Sequence, residues 1–109
     1  MMNFDIDAIA ADMLLAMKGV FVKNRPEVES IVKQFVKDRK NTLELLAELY
    51  RKGKITQQKL ESRLEEEKII LEAELEALKI VSKALVQKAA NAAIDTLVNA
   101  IKTAVKTVL

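Results

Sequence analysis

The 109-residue chain contains no cysteine and no histidine. The first absence excludes disulfides and thiolate metal sites. The second removes the commonest general base, the commonest metal ligand and the side chain that titrates nearest neutral pH. Tryptophan is also absent, and the aromatics are limited to Phe4, Phe21, Phe35 and Tyr50. Proline occurs only at Pro26 and glycine only at Gly19 and Gly53, so few positions mark where helices must end. No long uninterrupted apolar run is present. The best candidate for a membrane span, Ile6 to Val22, is broken by Asp7, Asp12 and Lys18, whereas a spanning helix needs about 20 predominantly apolar residues. The formal net charge of +2 is too small to imply a polyanionic partner without a local cluster. Met1-Met2-Asn3-Phe4-Asp5 lacks the basic region of a secretory signal, so a cytoplasmic location is expected.

What remains is half apolar and rich in Ala, Leu, Glu and Lys, a composition suited to helices. The length is close to the commonest single-domain size, so one all-α domain over residues 1–109 is expected. Asp5 and Asp7 are both candidate N-caps for a first helix running to about Lys23. Ile6, Ile9, Ala10, Met13, Leu14, Met17, Val20 and Phe21 follow helical spacing, with Leu15, Ala16 and Val22 widening the stripe. Gly19 inside that pattern is either a tolerated glycine or a mark of close backbone packing. Pro26 suits the first turn of a second helix, over about 26–52, whose apolar face of Val28, Val32, Phe35, Val36, Leu43, Leu46, Leu49 and Tyr50 is interrupted by Arg39 and Thr42.

The turn at Arg51-Lys52-Gly53-Lys54-Ile55-Thr56 is the best-specified local feature. Gly53 supplies the left-handed residue that closes a helix, cations precede it where the helix dipole favours them, and Thr56 is the next N-cap. Residues Leu46 to Thr56, continuing through Gln57-Gln58-Lys59-Leu60, resemble the short helix-turn-helix called the SHOCT domain. That family's pattern is an apolar-spaced helix, Gly, one residue, Ile-Thr and a second helix. The resemblance covers under a fifth of the chain and consists mostly of capping chemistry. SHOCT segments usually end their proteins and carry an aromatic where Leu60 stands, whereas this chain continues as a long helical run. The resemblance therefore implies a local turn and carries no function.

From Ile55 to Leu109 there is neither glycine nor proline. Leu64, Leu71, Leu78 and Leu85 recur seven apart, as in a coiled coil, beside a weaker column of Lys68, Leu75, Ser82 and Ala89. A single helix over 56–109 would be roughly 80 Å long, so the run is expected either to bend or break near 82–91 or to form an elongated molecule. With the first two helices end to end along it, folding about Lys54 brings the Pro26 junction opposite Ser82, Lys37 near Glu72 and Lys33 near Glu76. The expected fold is an antiparallel helical hairpin with long, coiled-coil-like helices. Its broad apolar faces exceed what one hairpin can cover, so a dimeric helical bundle is expected, with Leu14, Met17, Phe21, Ile94, Leu97, Val98, Ile101 and Val105 as interface candidates.

Chemistry finds little purchase. Glu65-Glu66-Glu67 point successively around a helix and do not converge, a di-iron bundle would need histidine, and no nucleophile elbow or Gly-rich loop is present. No catalytic, cofactor or metal residue is expected, and the chain is not read as an enzyme. The sequence favours a structural or interaction protein, a helical oligomer that presents a coiled-coil arm as scaffold, adaptor or assembly component. Its candidate partner-binding residues are Arg51, Lys52, Lys54 and Lys59 at the tip, facing an unidentified protein. The alternative is a membrane-associated protein using the amphipathic C-terminal segment. Nucleic-acid binding through the basic turn ranks below both, because only Tyr50 lies near the patch for stacking.

Overall fold

The computed structural model describes residues 6–21, 26–79 and 82–108, with the side chains of 105–108 excepted. It is all-helical, with α1 at Ile6–Lys18, α2 at Pro26–Arg51, α3 at Gln57–Glu76 and α4 at Lys83–Val108. Helix α1 buries Ile6, Ile9, Met13 and Met17, a single stripe at i, i+3 and i+4. It stops five residues short of the expected Lys23 boundary. Gly19 lies exposed in the turn that follows, and an added Cβ there would meet only the Ala16 carbonyl at 3.5 Å. No neighbouring backbone requires a glycine at that position.

Helix α2 begins at Pro26 and buries Val28, Val32, Phe35, Val36, Leu43, Leu46 and Ala47. Its C-terminus forms a Schellman motif: the Lys54 N–H bonds to the Leu49 carbonyl at 2.8 Å and the Gly53 N–H to the Tyr50 carbonyl at 3.1 Å. Gly53 adopts φ 72°, the left-handed region in which a side chain is strained. Thr56 then caps α3, its hydroxyl accepting from the Lys59 N–H at 3.1 Å. Helix α3 buries Leu60, Leu64, Glu67, Leu71 and Leu75.

The run over 56–109, expected either to bend or break near 82–91 or to form an elongated molecule, is two helices. Helix α3 tightens after Glu76, with the Leu78 N–H on the Leu75 carbonyl at 3.2 Å and the Lys79 N–H on the Glu76 carbonyl at 3.1 Å. Lys79 itself sits at φ 57°, the left-handed conformation that glycine usually supplies at a helix end. Ser82 restarts the helix as an N-cap, its Oγ accepting from the Leu85 N–H at 3.2 Å. The interruption falls between Glu76 and Lys83 and meets the 82–91 window at Ser82, and the leucine column flanks it as half-buried Leu78 and Leu85.

Helix α4 returns along α3, as the Lys102 to Glu61 ion pair at 3.0 Å demonstrates. It buries Val86, Ala89, Ala90, Ala93, Ile94, Leu97, Ile101 and Ala104; the small alanines permit close helix approach. Each helix packs on two neighbours in a ring, α1 on α2, α2 on α3, α3 on α4 and α4 on α1. Helices α2 and α4 also touch across the middle, while α1 and α3 occupy the far diagonal and do not meet. The extents of 42 × 22 × 21 Å are those of a compact bundle, half as long as a straight run would require.

An added Cβ at Gly53 would meet nothing within 4 Å, so the cost of a side chain there is conformational alone. Gly53→Val is expected to lower stability by about 1–2 kcal/mol, read by urea denaturation. An unchanged midpoint would mean that the turn does not depend on the left-handed residue.

Candidate functional site

At the tip, the four candidate cations divide into two pairs. Arg51 Nε donates to Glu48 at 3.2 Å, and its second nitrogen also bonds that carboxylate. Lys52 Nζ lies 3.6 Å from Glu48 as well. The hydrogen bonds from Arg51 hold the Glu48 carboxyl below its ordinary value, and the same contact raises the guanidinium. Glu48 therefore neutralises part of the patch that the sequence presents as purely basic. Lys54 and Lys59 are exposed and pair with no described carboxylate. They stand on a turn whose backbone is fixed by the Schellman bonds and the Thr56 cap, so presenting them costs little further ordering.

Of the residues expected at an oligomer interface, four are covered within the chain. Met17, Ile94, Leu97 and Ile101 are buried within the chain's own core. Leu14, Phe21 and Val98 are half-buried and pack against it, and the side chain of Val105 falls outside the described residues. The apolar excess attributed to a missing partner is covered by α1 and α4 packing on each other. That closure follows from the turn at Lys79, which brings α4 back rather than leaving it extended.

Two grooves flank α2. One, of about 380 Å³, runs between α1 and α2 over a floor of Ala10, Leu14 and Val36, with Lys33, Lys37 and Lys40 along one wall and Asp7 at the other. The second, of about 360 Å³, lies between α2 and α3 and is lined by Leu45, Leu49, Ile70, Arg63 and Glu66. At its base lies the Arg39–Glu67 ion pair. Arg39 Nε reaches both carboxylate oxygens at 3.0 Å and its second nitrogen reaches one at 2.8 Å. Glu67 is 2% exposed and is the sole buried charged residue among those described. A charge so enclosed is tolerated only when paired and hydrogen-bonded.

This pair was missed by sequence reasoning, although a signal existed. Arg39 interrupts the apolar stripe of α2, and Glu67 falls on the buried face of α3 between Leu64 and Leu71. Facing interruptions of opposite sign mark a candidate buried pair. The pairings read from the sequence do not form: Lys33 bonds Glu29 within α2 at 3.0 Å, and no described side chain pairs with Lys37, Glu72 or Glu76. The Arg39–Glu67 contact centres the α2–α3 register on Gly53 rather than Lys54, and that slip displaces the expected partners. On the same flank, partial burial and the Asp38 carboxylate push the Glu74 carboxyl above its ordinary value, against the pull of Arg39.

Among the described residues, no group of carboxylates could hold a metal ion, and no helix is long and apolar enough to cross a membrane. The chain matches no family model, no curated protein and no solved structure.

Removing one member of the α2–α3 ion pair strands the other. Arg39→Leu should cost about 2–3 kcal/mol, less than a fully buried pair would, because the guanidinium retains some solvent. The double variant R39L/E67L should recover to within about 1 kcal/mol of the parent. Chemical denaturation of the two variants checks the pattern, and equal losses in both would show that packing rather than stranded charge is the cause. Glu74 gives the opposite pH signature from a salt-bridged acid. Its folded-state value is raised, so its contribution to stability is complete below the ordinary carboxyl range and is lost as pH rises through the raised value. Glu74→Gln should therefore stabilise slightly at pH 7 and match the parent in acid, read by thermal unfolding across that range.

Proposed function

We propose that the protein is a structural interaction protein, a helical scaffold or adaptor that works by docking rather than by covalent chemistry. In this reading α2 and α3 form an antiparallel, coiled-coil-like stalk with the turn at Lys52–Thr56 as its tip, and an acidic protein segment is the partner. The observation that carries it is the tip itself: Lys54 and Lys59, unpaired and exposed, stand on a backbone held by the Schellman bonds and the Thr56 cap. A preorganised cationic turn loses little freedom on binding, and exposed charges there steer association. Arg51 and Lys52 contribute less, since both already contact Glu48.

Membrane attachment through α4 receives less support than this reading. An interfacial helix needs a free apolar face, and Ile94, Leu97 and Ile101 are enclosed by the rest of the chain. Nucleic-acid binding is weakened by the neutralising Glu48 and by the shortage of stacking aromatics.

The test compares the parent with K52E/K54E/K59E. Exposed residues away from special backbone sites usually shift stability by under about 0.5 kcal/mol each, so circular dichroism should record unchanged helicity. A synthetic glutamate-rich helical peptide should bind the parent at low ionic strength and lose binding to the variant. Vesicles of mixed phosphatidylcholine and phosphatidylglycerol should leave both proteins in the supernatant. Sedimentation of the parent with vesicles, together with equal peptide binding by both proteins, would favour the membrane alternative.

A further inference from the structure

The groove between α1 and α2 and the outer face of α3 carry opposite charge and remain unsatisfied within the chain. Lys33, Lys37 and Lys40 form one wall of the groove over Ala10, Leu14 and Val36. Lys33 is engaged by Glu29, but Lys37 and Lys40 are exposed and pair with no described carboxylate. On α3, Ile69, Glu72 and Glu76 follow i, i+3 and i+7 spacing and so share one stripe. Ile69 is 60% exposed, and Glu72 and Glu76 have no described ionic partner. Each stripe spans seven residues, a rise of about 10.5 Å. One presents cations above an apolar floor, and the other presents carboxylates beside a projecting isoleucine. Their charge patterns are complementary, yet the bundle holds α1 and α3 on opposite corners, where they do not touch.

We propose that the acidic stripe of α3 from one copy of this chain docks in the lysine-walled α1–α2 groove of a second copy. Glu72 and Glu76 meet Lys37 and Lys40, and Ile69 covers apolar surface beside Leu14 and Leu15, the latter 66% exposed on the same helix. This rests on the reading of the chain as an interaction protein but uses a surface separate from the tip. The two surfaces differ and lie on different sides of the bundle, so the contact is head-to-tail. Such a contact closes into a ring or continues into a filament instead of stopping at a two-fold dimer. Its attraction comes from exposed ion pairs, each individually weak, so association should be concentration-dependent and sensitive to salt.

Sedimentation velocity and light scattering on the full chain test the proposal with two charge-reversed variants, K37E/K40E and E72K/E76K. Both leave the core untouched, and circular dichroism checks that each remains as helical as the parent. The parent should exceed its single-chain mass of 12.2 kDa at high concentration and low ionic strength, and return towards that mass in 0.5 M salt. Each variant alone should stay at the single-chain mass, because groove and stripe then carry like charge. An equimolar mixture should associate again, since each copy offers a surface complementary to the other. A parent that remains a single chain at every concentration and salt overturns the proposal, and so does association that both variants retain unmixed. Binding of phosphatidylglycerol vesicles by a monomeric parent, lost in K37E/K40E, would also overturn it and assign the groove to lipid. None of these results bears on the tip, whose peptide binding is read with K52E/K54E/K59E.

Discussion

The fold depends on a reversal of the chain between α3 and α4. Without it, residues 57–108 would form a rod, and the apolar stripe of α4 would face water or demand another molecule. With it, α4 lies along α3 and meets α1, and the chain covers its own core. The reversal is made from modest parts: a tightened final turn, Lys79 in a left-handed conformation and Ser82 capping the next helix. A left-handed lysine is unfavourable by about 1–2 kcal/mol. Burial of Val86, Ala89, Ala90, Ile94, Leu97 and Ile101 offsets it, because each fully buried large aliphatic side chain contributes about 1.5–3 kcal/mol. Tertiary packing therefore decides where this helix ends, against a local sequence that permits it to continue.

The second constraint is the Arg39–Glu67 pair, which fixes how α2 and α3 slide against each other. Leucines facing leucines tolerate several registers, whereas a buried carboxylate tolerates only the one that brings its guanidinium within reach. The pair is made in the one alignment that the bundle adopts. It also leaves lysines and glutamates that look complementary in the sequence without one another, and those unmatched charges give the surface its polarity.

Much of the fold is legible in the sequence where a residue has a single physical use. Gly53 and Thr56 mark the α2–α3 turn because one supplies positive φ and the other an N-cap oxygen. Pro26 marks the start of α2 because it lacks the N–H that a first turn does not use. The apolar stripes of α1 and α4 are readable from their spacing. The α3–α4 turn is not readable in the same way, since Lys79 has no intrinsic preference for the left-handed region, and Ser82 alone is a weak signal. Length calls for a bend or break near 82–91 or an elongated molecule without choosing between them, so the hairpin reading leaves Met17, Ile94, Leu97 and Ile101 without cover and assigns them to an interface, whereas the turn places them in the core. At the tip, the sequence identifies the four cations but not the Glu48 carboxylate, one helical turn back, that occupies two of them.

The most direct test of this account is the distance between the start of α3 and the end of α4. Glu61 and Lys102 form an ion pair at 3.0 Å in the bundle, whereas on a continuous helix they would be about 60 Å apart. Spin labels introduced at positions 61 and 102, diluted with unlabelled protein so that only distances within one chain are read, can be measured by double electron–electron resonance. A single population below about 25 Å, allowing for the spin-label linkers around the short distance that a folded-back helix imposes, is the predicted result. A dominant distance near 60 Å would contradict it, and would return the apolar face of α4 to a partner molecule.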